Sequence, residues 1–267
     1  MLRSMYSGIS GMKNFQTKLD VIGNNIANVN THGFKKGRVT FKDTVSQTIS
    51  GASAPTGAGG INPKQVGLGS QLATIDTIDS QGSPQTTGRV LDVSIQGDGY
   101  LTVQRDGNTF YTRAGNLYLD NSGQLVTSAG DNVLDTKGSP IIINGGDLTT
   151  VKSLSISTDG KINYIKDGET KISVAGPIAV ARFNNNGGLE KAGDNLFSET
   201  VNSGKPTVLD PGTSGAGMLI SGQLEMSNVD LSEEFTEMIV AQRGFQANTR
   251  IITTSDEILQ ELVNLKR

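Results

Sequence analysis

The side chains that could support nucleophilic or acid–base catalysis are few in this sequence and widely separated. His32 is the only histidine among the 267 residues, and cysteine is absent. A serine–histidine–aspartate triad would depend on this one histidine, which lies in a polar, turn-like segment. Without cysteine, neither a disulfide framework nor a cysteine-based metal site can form. We therefore assign no catalytic residue and expect that the protein is not an enzyme.

Motifs that bind nucleotides or calcium are incomplete. Gly67-Leu68-Gly69 lacks the third glycine of a dinucleotide-binding loop, and the chain has no phosphate-binding loop pattern. Asp159 and Asp167 each precede a glycine, but their spacing does not match an EF-hand, so both are interpreted as structural turns. Acidic pairs could form among three carboxylates near predicted β-turns, those of Asp92, Asp98 and Asp120. We expect no cofactor and no metal.

Charge and composition argue against nucleic-acid binding and favour an extracellular type of protein. The formal net charge is −3 at pH 7, so the chain as a whole is not attracted to nucleic acid. A basic cluster of Lys35, Lys36, Arg38 and Lys42 is interpreted as a solvated face or as a contact for an acidic neighbour. Only 18% of the residues are charged, whereas 34 are glycine, which is typical of turn-rich β-proteins and extracellular assemblies.

The N-terminal segment resembles neither a signal peptide nor a membrane span. Lys13, Lys18 and Asp20 interrupt its apolar residues, so it lacks the continuous apolar region of a cleavable signal peptide. The chain contains no window of about 18 uncharged apolar residues, so we expect no insertion into a membrane. If the protein is exported, it needs a route that does not use a classical signal.

Both ends of the chain carry an apolar repeat of seven residues, which returns to one helix face every two turns. The C-terminal repeat consists of Leu231, Met238, Phe245, Ile252 and Leu259. The N-terminal repeat consists of Met5, Met12, Leu19 and Ile26. The residues that widen the two faces are Leu2, Ile9, Phe15, Ile22, Val29, Phe235, Ile239, Ile251, Ile258, Leu262 and Leu265. We predict one long helix at each end, paired either antiparallel or coaxially, and the alternative is that each packs separately on a globular core.

Capping and glycine signals set the expected limits of these helices. The first helix is predicted from about Leu2 to Ala27, with Gly33 as a left-handed stop. The second is predicted to begin after an N-cap at Asn228 or Asp230. The glycines inside the first helix are interpreted as packing positions and are Gly8, Gly11 and Gly23.

The sequence pattern in the middle of the chain predicts a β-domain. About ten short apolar runs lie between Val90 and Phe183, separated by Asp-Gly and Asn-Gly turns and by no helical pattern. Asp106-Gly107, between Leu101–Gln104 and Thr109–Thr112, is the clearest hairpin. We predict a central antiparallel sandwich or barrel-like domain.

The predicted fold class is therefore mainly β with long terminal α-helices. Residues 1–33 and 224–267 would form a discontinuous helical coiled-coil domain, and residues 88–200 the central β-domain. Residues 34–87 are predicted as a linker and extended connecting region, and residues 201–223 as a return linker. Within these, Ser50–Gly60 and Val201–Gly222 have the glycine-, serine- and proline-rich composition of flexible segments.

Four segments of the sequence resemble the flagellar rod and hook protein family. Leu19–Lys36 (LDVIGNNIANVNTHGFKK) is similar to the N-terminal signature of that family, and Leu224–Leu265 is similar to its C-terminal signature. Thr87–Val103 (TGRVLDVSIQGDGYLTV) and Tyr111–Thr127 (YTRAGNLYLDNSGQLVT) resemble the motifs of its β-domain. The likeness covers nearly the whole chain.

The resemblance implies a structural subunit of the axial flagellar tube. Such a subunit would pass unfolded through the flagellar type III export apparatus, without a cleaved signal peptide, and then polymerise beneath a cap. Its terminal helices would form the inner tube and its β-domain an outer layer. The implied partners are further copies of the chain in a helical homopolymer, the other axial proteins (rod, hook–filament junction, and hook or rod cap) and the export apparatus. The implied location is the extracellular hook or the basal-body rod.

Within the family, the hook is favoured and the distal rod is the alternative. LDVIGNNIAN and TGRVLDV look more like hook proteins, whereas the short β-region without an inserted outer domain looks more like distal rod proteins. Short hook proteins of this kind are typical of Gram-positive bacteria, which favours a hook subunit that joins rod to filament and transmits motor torque. More remote alternatives are a secreted adhesin and an enzyme on a β-scaffold.

The apolar stripes would contact mainly neighbouring subunits. The residues expected at the self-assembly interface are Met5, Ile9, Met12, Leu19, Ile22, Ile26, Asn28, Gly33, Phe34, Leu231, Phe235, Met238, Phe245, Ile252, Leu259 and Leu262.

Overall fold

The computed structural model describes residues 2–52, 54, 59–168 and 171–265 of the chain. Part of the segment predicted as a flexible linker, Ser53 and residues 55–58, lies outside the described residues. The chain divides into two compact units, each assembled from separate stretches of sequence. Unit 1 comprises residues 1–27, 37–77 and 230–267, and unit 2 comprises residues 28–36 and 78–229.

Unit 1 contains both terminal helices, α1 at Leu2–Ala27 and α2 at Leu231–Leu265. The predicted limits of α1 are confirmed. Asp230 caps α2, because its Oδ1 accepts a hydrogen bond of 2.8 Å from the backbone N–H of Ser232. Glu233 and Glu234 occupy the first turn of α2, where the helix dipole stabilises negative charge.

Paired strands complete unit 1. They are β1 (Gly37–Asp43), β2 (Ser46–Ser50), β3 (Lys64–Gly67) and β4 (Ser70–Thr77). β1 pairs antiparallel with β4, with Gly37 opposite Thr77, and β2 pairs antiparallel with β3. Residues 37–77, which we predicted as part of an extended connecting region, thus form hydrogen-bonded ribbons that belong to unit 1.

Unit 2 is built from short strands. They are β5 (Pro84–Thr86), β6 (Val93–Gln96), β7 (Tyr100–Arg105), β8 (Asn108–Thr112), β9 (Tyr118–Leu119), β10 (Leu125–Val126), β11 (Asn132–Val133), β12 (Val151–Ile156), β13 (Ile162–Lys166), β14 (Ile172–Ala175), β15 (Val180–Arg182), β16 (Glu190–Gly193), β17 (Leu196–Ser198), β18 (Thr207–Leu209), β19 (Met218–Ser221) and β20 (Gln223–Glu225). Single 3₁₀ turns lie at Asn144–Gly146 and Asn186–Gly188.

The strands of unit 2 form four sheets, and every pairing among its described strands is antiparallel. The largest sheet has nine strands, in the order β16–β17–β8–β7–β11–β10–β9, with β15 paired to β7 and β18 paired to β15. The others are the three-stranded sheet β12–β13–β14 and the pairs β6–β19 and β5–β20. The predicted mainly β, antiparallel architecture is confirmed. Residues 201–223, predicted as a return linker, contain β18 and β19.

The core of unit 2 lies on both faces of β7. Leu101 and Val103 belong to the main apolar cluster, while Tyr100 belongs to a second cluster that also contains Tyr111 and Phe183. The rings of Tyr111 and Phe183 meet edge to face, with their centroids 4.8 Å apart, an arrangement that aromatic pairs prefer. Because successive strand residues point to opposite faces, this strand is covered on both sides.

The Asp-Gly turn predicted between β7 and β8 is confirmed. Arg105 and Asn108 are paired across it, and Asp106 and Gly107 have φ values of 50° and 82°. Left-handed conformation at both central residues is what a two-residue type I′ hairpin requires. In contrast, Ile141–Ile143 forms no strand, and Ile142 makes only an isolated bridge to Gln124.

No helix among the described residues is long and apolar enough to cross a membrane.

A close backbone approach at Gly115 gives a testable consequence for the stability of unit 2. A Cβ atom at this position would lie 1.6 Å from the carbonyl oxygen of Val93, and that backbone is fixed by β6. We expect Gly115→Ala to lower the free energy of unfolding by at least ~2 kcal/mol, measured by urea denaturation. Gly187→Ala is the matched control, because its nearest neighbour atom is 3.5 Å away. Equal stability of the two variants would contradict the packing described here.

Candidate functional site

Helices α1 and α2 pack against each other in antiparallel orientation within unit 1. Phe15 lies against Gly244, and the Nδ2 atom of Asn25 lies 3.2 Å from Oε2 of Glu234. Residue numbers therefore rise along one helix as they fall along the other. The predicted pairing of the two chain ends is confirmed, and of the two arrangements considered, the antiparallel one is present.

Glycines allow the two helix backbones to approach closely. A Cβ atom at Gly244 would lie 2.5 Å from the ring of Phe15, and one at Gly11 would lie 2.9 Å from the side-chain amide of Asn248. At distances this short, a larger residue at either position would require the side chain of Phe15 or Asn248 to move. Around Gly23, no heavy atom of the described residues lies within 4 Å of the corresponding position, so its interpretation as a packing glycine is wrong.

A buried polar contact fixes one end of the helix pair. Glu234 is buried and accepts a hydrogen bond from Asn25. The same asparagine exchanges two hydrogen bonds with the backbone of Gly37, at 2.9 and 3.0 Å. Buried polar groups of this kind specify register in helix pairs, because a shifted pairing would leave them without partners. Asn25 therefore sets both the alignment of α2 and the start of β1.

Most of the helix residues predicted for self-assembly are at least partly covered within their own chain. Ile22 is buried, and the partly buried ones are Met5, Met12, Leu19, Ile26, Met238, Phe245, Ile252 and Leu259. The exposed ones are Ile9, Leu231, Phe235 and Leu262. Their role in self-assembly stays a prediction, but the heptad repeats themselves are largely used in the intrachain helix pair.

Apolar side chains on two flanks of α2 are left uncovered within the chain. Phe235 and Ile239 lie on one flank, and a larger apolar surface on the other flank consists of Val240, Ile251, Ile258, Leu262 and Leu265. Val263 lies in line with the heptad stripe, and all eight side chains are between 45% and 82% exposed. Ile251, Ile258 and Leu265 repeat at seven residues beside the first stripe. Val240 and Val263 were missed by our sequence reasoning, although their apolar type was the available signal. Apolar side chains so numerous on one helix mark an interaction surface.

Unit 2 contains a buried cluster of charged side chains around Glu225. Its Oε1 lies 2.7 Å from the Nζ atom of Lys35, and its Oε2 lies 3.2 Å from Nη1 of Arg113. All three side chains are 1% exposed. Buried ions are tolerated only when they are paired and hydrogen-bonded. The interpretation of the basic cluster as a solvated face is therefore wrong for Lys35.

Further groups complete this cluster. The Nζ atom of Lys35 donates to the carbonyl oxygen of Ser80 at 2.8 Å and lies 3.8 Å from Oδ1 of Asp79. Burial lowers the pKa of Lys35, and Arg113 acts in the same direction, whereas Glu225 and Asp79 oppose them. Burial also raises the pKa of Tyr100, and the adjacent Asp79 adds to this effect. The two cations and two carboxylates balance in charge.

Three of the predicted interface residues, Asn28, Gly33 and Phe34, belong to unit 2. Gly33 is buried and has a φ of 70°, which agrees with the predicted left-handed conformation. A Cβ atom there would lie 2.7 Å from the backbone N of Ala114. The Phe34 ring lies 4.7 Å from Nζ of Lys191. These residues pack within unit 2, and their part in self-assembly stays a prediction.

The described residues hold no cluster of three or more histidine, aspartate or glutamate side chains that could bind a metal ion. His32 lines a cavity of about 210 Å³, and its Nδ1 atom is buried without a hydrogen-bond partner among the described residues, so no triad is formed through that atom. Asp92 is paired with Arg89, and Asp131 with Arg105. The geometry thus favours packing and association over catalysis.

The contact between Gly244 and Phe15 can be tested by substitution. We expect Gly244→Ala to reduce the helical circular dichroism of the full-length chain, because the added methyl group overlaps the Phe15 ring. The second substitution Phe15→Leu should restore part of the signal by making room. Gly23→Ala is the control and should raise helicity, since alanine exceeds glycine in helix propensity by ~1 kcal/mol. A gain in helicity for Gly244→Ala would contradict the close packing.

Three family models match successive parts of the chain. Residues 5–35 match the flagella basal body rod protein family, and residues 94–178 match the flagellar hook protein FlgE/F/G D1 domain. Residues 220–265 match the flagellar basal body rod FlgEFG protein C-terminal region. The first and last matches include most of the helix pair, and the central one lies in unit 2.

Full-length relatives agree with these matches. The flagellar basal-body rod protein FlgG of Bacillus subtilis is 61% identical over 272 residues, covering 100% of both chains. FlgG of Caulobacter vibrioides is 40% identical over 99% of this chain and 100% of its own. The flagellar hook protein FlgE of Borreliella burgdorferi is 33% identical over 441 residues, again covering 100% of both. These relatives are structural proteins of rod and hook, so the chain is a structural protein and not an enzyme. It belongs to the FlgE/FlgF/FlgG family of flagellar rod and hook proteins.

Proposed function

We propose that the chain is the distal rod subunit of the flagellar basal body, a component of the straight drive shaft. The observation that carries this proposal is the 61% identity, over the whole of both chains, to a protein named as a basal-body rod protein. The rod protein of Caulobacter vibrioides also aligns over a nearly equal length, 268 residues.

The hook, which we favoured from the sequence, is less well supported than the rod. The alignments with hook proteins of Borreliella burgdorferi and Treponema pallidum extend over 441 and 463 residues, at 33% and 28% identity. Since this chain has 267 residues, those hook proteins carry long insertions that it lacks. The short β-region, which we weighed in favour of the rod, is therefore the more informative feature, and the two hook-like motifs do not separate the subgroups.

Self-assembly in this proposal proceeds through the uncovered surface of α2. The heptad stripe of α2 is occupied by α1, so neighbouring copies would contact the apolar residues that remain exposed. Burying such residues in a homopolymer contributes roughly 25 cal/mol per Å² of apolar surface. The partners in the flagellum would be further copies of the chain and adjoining axial proteins. Export through the type III apparatus and a location in the basal-body rod belong to the same proposal.

Electron microscopy of basal bodies from cells lacking this one gene tests the proposal. Truncated rods are expected, because the distal part of the shaft would be missing. Complete rods that end without a hook would instead identify the hook subunit and overturn the rod assignment. Restoring the gene should restore full-length rods, which controls for effects on neighbouring genes.

Substitutions on α2 test the assembly surface. Ile258→Glu places a charge on the exposed apolar surface and leaves the intrachain seam intact. We expect it to raise the critical concentration for polymerisation by about 100-fold, since burying an unpaired charge costs several kcal/mol. Pelleting of the polymer measures this, with circular dichroism as a check on folding.

The matched control is Gln246→Glu, which adds the same charge at an exposed polar position of α2. It should polymerise like the unmodified protein. Met238→Glu differs from both, because Met238 is partly buried and its substitution should weaken the helix pair as well as the polymer. Normal polymerisation of Ile258→Glu would show that this surface is not the one used.

A further inference from the structure

The chain passes between unit 1 and unit 2 four times, after residues 27, 36, 77 and 229. The unit 2 ends of these four connections belong to three short segments, residues 28–36, 78–83 and 225–229. Each is an irregular stretch with little secondary structure of its own. The ladder of β5 and β20 reaches the second and third segments only at their edge, where Glu225 lies opposite Pro84, so the other residues of the three segments need different contacts.

Backbone contacts tie the three segments to one another. The N–H of Gly33 donates to the carbonyl oxygen of Glu225 at 2.8 Å, and the N–H of Ile78 donates to that of Lys36 at 2.9 Å. The side chain of Asn228 accepts from the N–H of Lys36 at 2.7 Å and donates to the carbonyl oxygen of Ile78 at 2.8 Å. Every segment thus bonds to both of the others.

The side chain of Lys35 lies at the centre of these contacts. It enters unit 2 from residues 28–36, and it bonds to Ser80 in the second segment and to Glu225 in the third. Glu225 in turn accepts from the N–H of Gly82 at 3.0 Å and from Arg113 on the edge of the core. Withdrawal of Lys35 would leave Glu225 and Asp79 facing a single buried cation, Arg113. A buried charge with fewer partners is costly, so withdrawal of Lys35 is disfavoured.

We propose that residues 28–36 form a strap that Lys35 latches into unit 2, and that this latch holds together the unit 2 ends of all four connections. The latch lies beside the apolar core, where the guanidinium group of Arg113 is 5.5 Å from the centre of the Tyr100 ring, but the backbone pairing of β7 with β8 does not use it. Its release would free the three segments and leave the nine-stranded sheet folded. This inference does not rest on the chain being a rod subunit, because it concerns the fold of one copy.

Hydrogen exchange of the full-length protein, read by mass spectrometry, tests the latch. Lys35→Met keeps the apolar stem of the side chain and removes its charge and donors. We expect exchange to become at least about tenfold faster at the N–H groups of Gly33, Ile78, Gly82 and Met226, as expected for local opening. Exchange in β7 and β8 should not change. Acceleration that is equal in these strands, or absent from the three segments, would overturn the proposal.

A double-mutant cycle shows whether Lys35 acts through Glu225. In Lys35→Met/Glu225→Gln, exchange of the strap should be no more than about threefold faster than in Lys35→Met alone, because coupled groups are non-additive. Multiplication of the two separate effects would overturn the coupling. Glu190→Gln, at an exposed position of β16, is the matched control and should leave the strap unchanged.

A milder substitution keeps the test decisive if Lys35→Met does not fold. Asp79→Asn removes one carboxylate that faces Lys35 at 3.8 Å and leaves the closer contact with Glu225 in place. It should accelerate exchange several-fold in the same three segments and not in β7 or β8. Residues next to Asn186 are left out of this comparison, because its Nδ2 donates to Oδ2 of Asp79 at 2.6 Å. An unchanged or uniform pattern for this variant would overturn the latch as well.

Discussion

The ion pair between Lys35 and Glu225 joins positions that are 190 residues apart in sequence, and it lies where the first and last segments of unit 2 meet. Closing a flexible loop of this size costs about 5 kcal/mol of chain entropy by the logarithmic length rule. Once unit 2 has brought its first and last segments together, the chain leaves it at residues 27 and 229, next to α1 and α2. The end of α1 at Ala27 and the start of α2 at Leu231 are thus the helix termini that adjoin these segments in sequence.

The two units use different kinds of interaction. Unit 2 is closed by an apolar core and by charges that balance one another in a buried site. Replacing such charges with apolar groups of similar volume is often neutral or stabilising, so their value in this molecule lies in alignment. Pairing Lys35 with another segment would leave Glu225 with Arg113 as its one cation and would remove the lysine that lies 3.8 Å from Asp79. Unit 1 achieves the same discrimination with one asparagine, because Asn25 satisfies both Glu234 and the backbone of Gly37.

Elements whose limits depend on neighbouring residues, namely the two helices and one tight hairpin, could be predicted from the sequence. Seven-residue periodicity predicted both helices, and capping and glycine signals predicted the limits of α1 and the start of α2. Asp106-Gly107 predicted the β7–β8 hairpin. Strands β1–β4 were not predicted as paired structure, because most of their residues are exposed and show no clean alternation of apolar and polar side chains. The burial of Lys35 was missed for another reason. No local pattern distinguishes Lys35 from the three other basic residues near it, and its carboxylate partner is distant in sequence.

The sequence predicted that apolar faces of the terminal helices mediate assembly, but not which of their residues remain exposed. A heptad repeat alone cannot show whether its partner helix belongs to the same chain or to a neighbouring copy. The stripe that our sequence reasoning assigned mainly to neighbouring copies is covered in large part by α1, and glycines at 11 and 244 bring the helices close enough for that. A helix pair of this kind leaves the flanks of the longer helix open. α2 has 35 residues and α1 has 26, and Ile258, Leu262 and Leu265 all lie near the C-terminal end of α2. Polar residues at these positions would make an isolated molecule more soluble, since exposed apolar side chains contribute no stability to the monomer. Their presence is explained if the fold of one copy is completed only by contact with others.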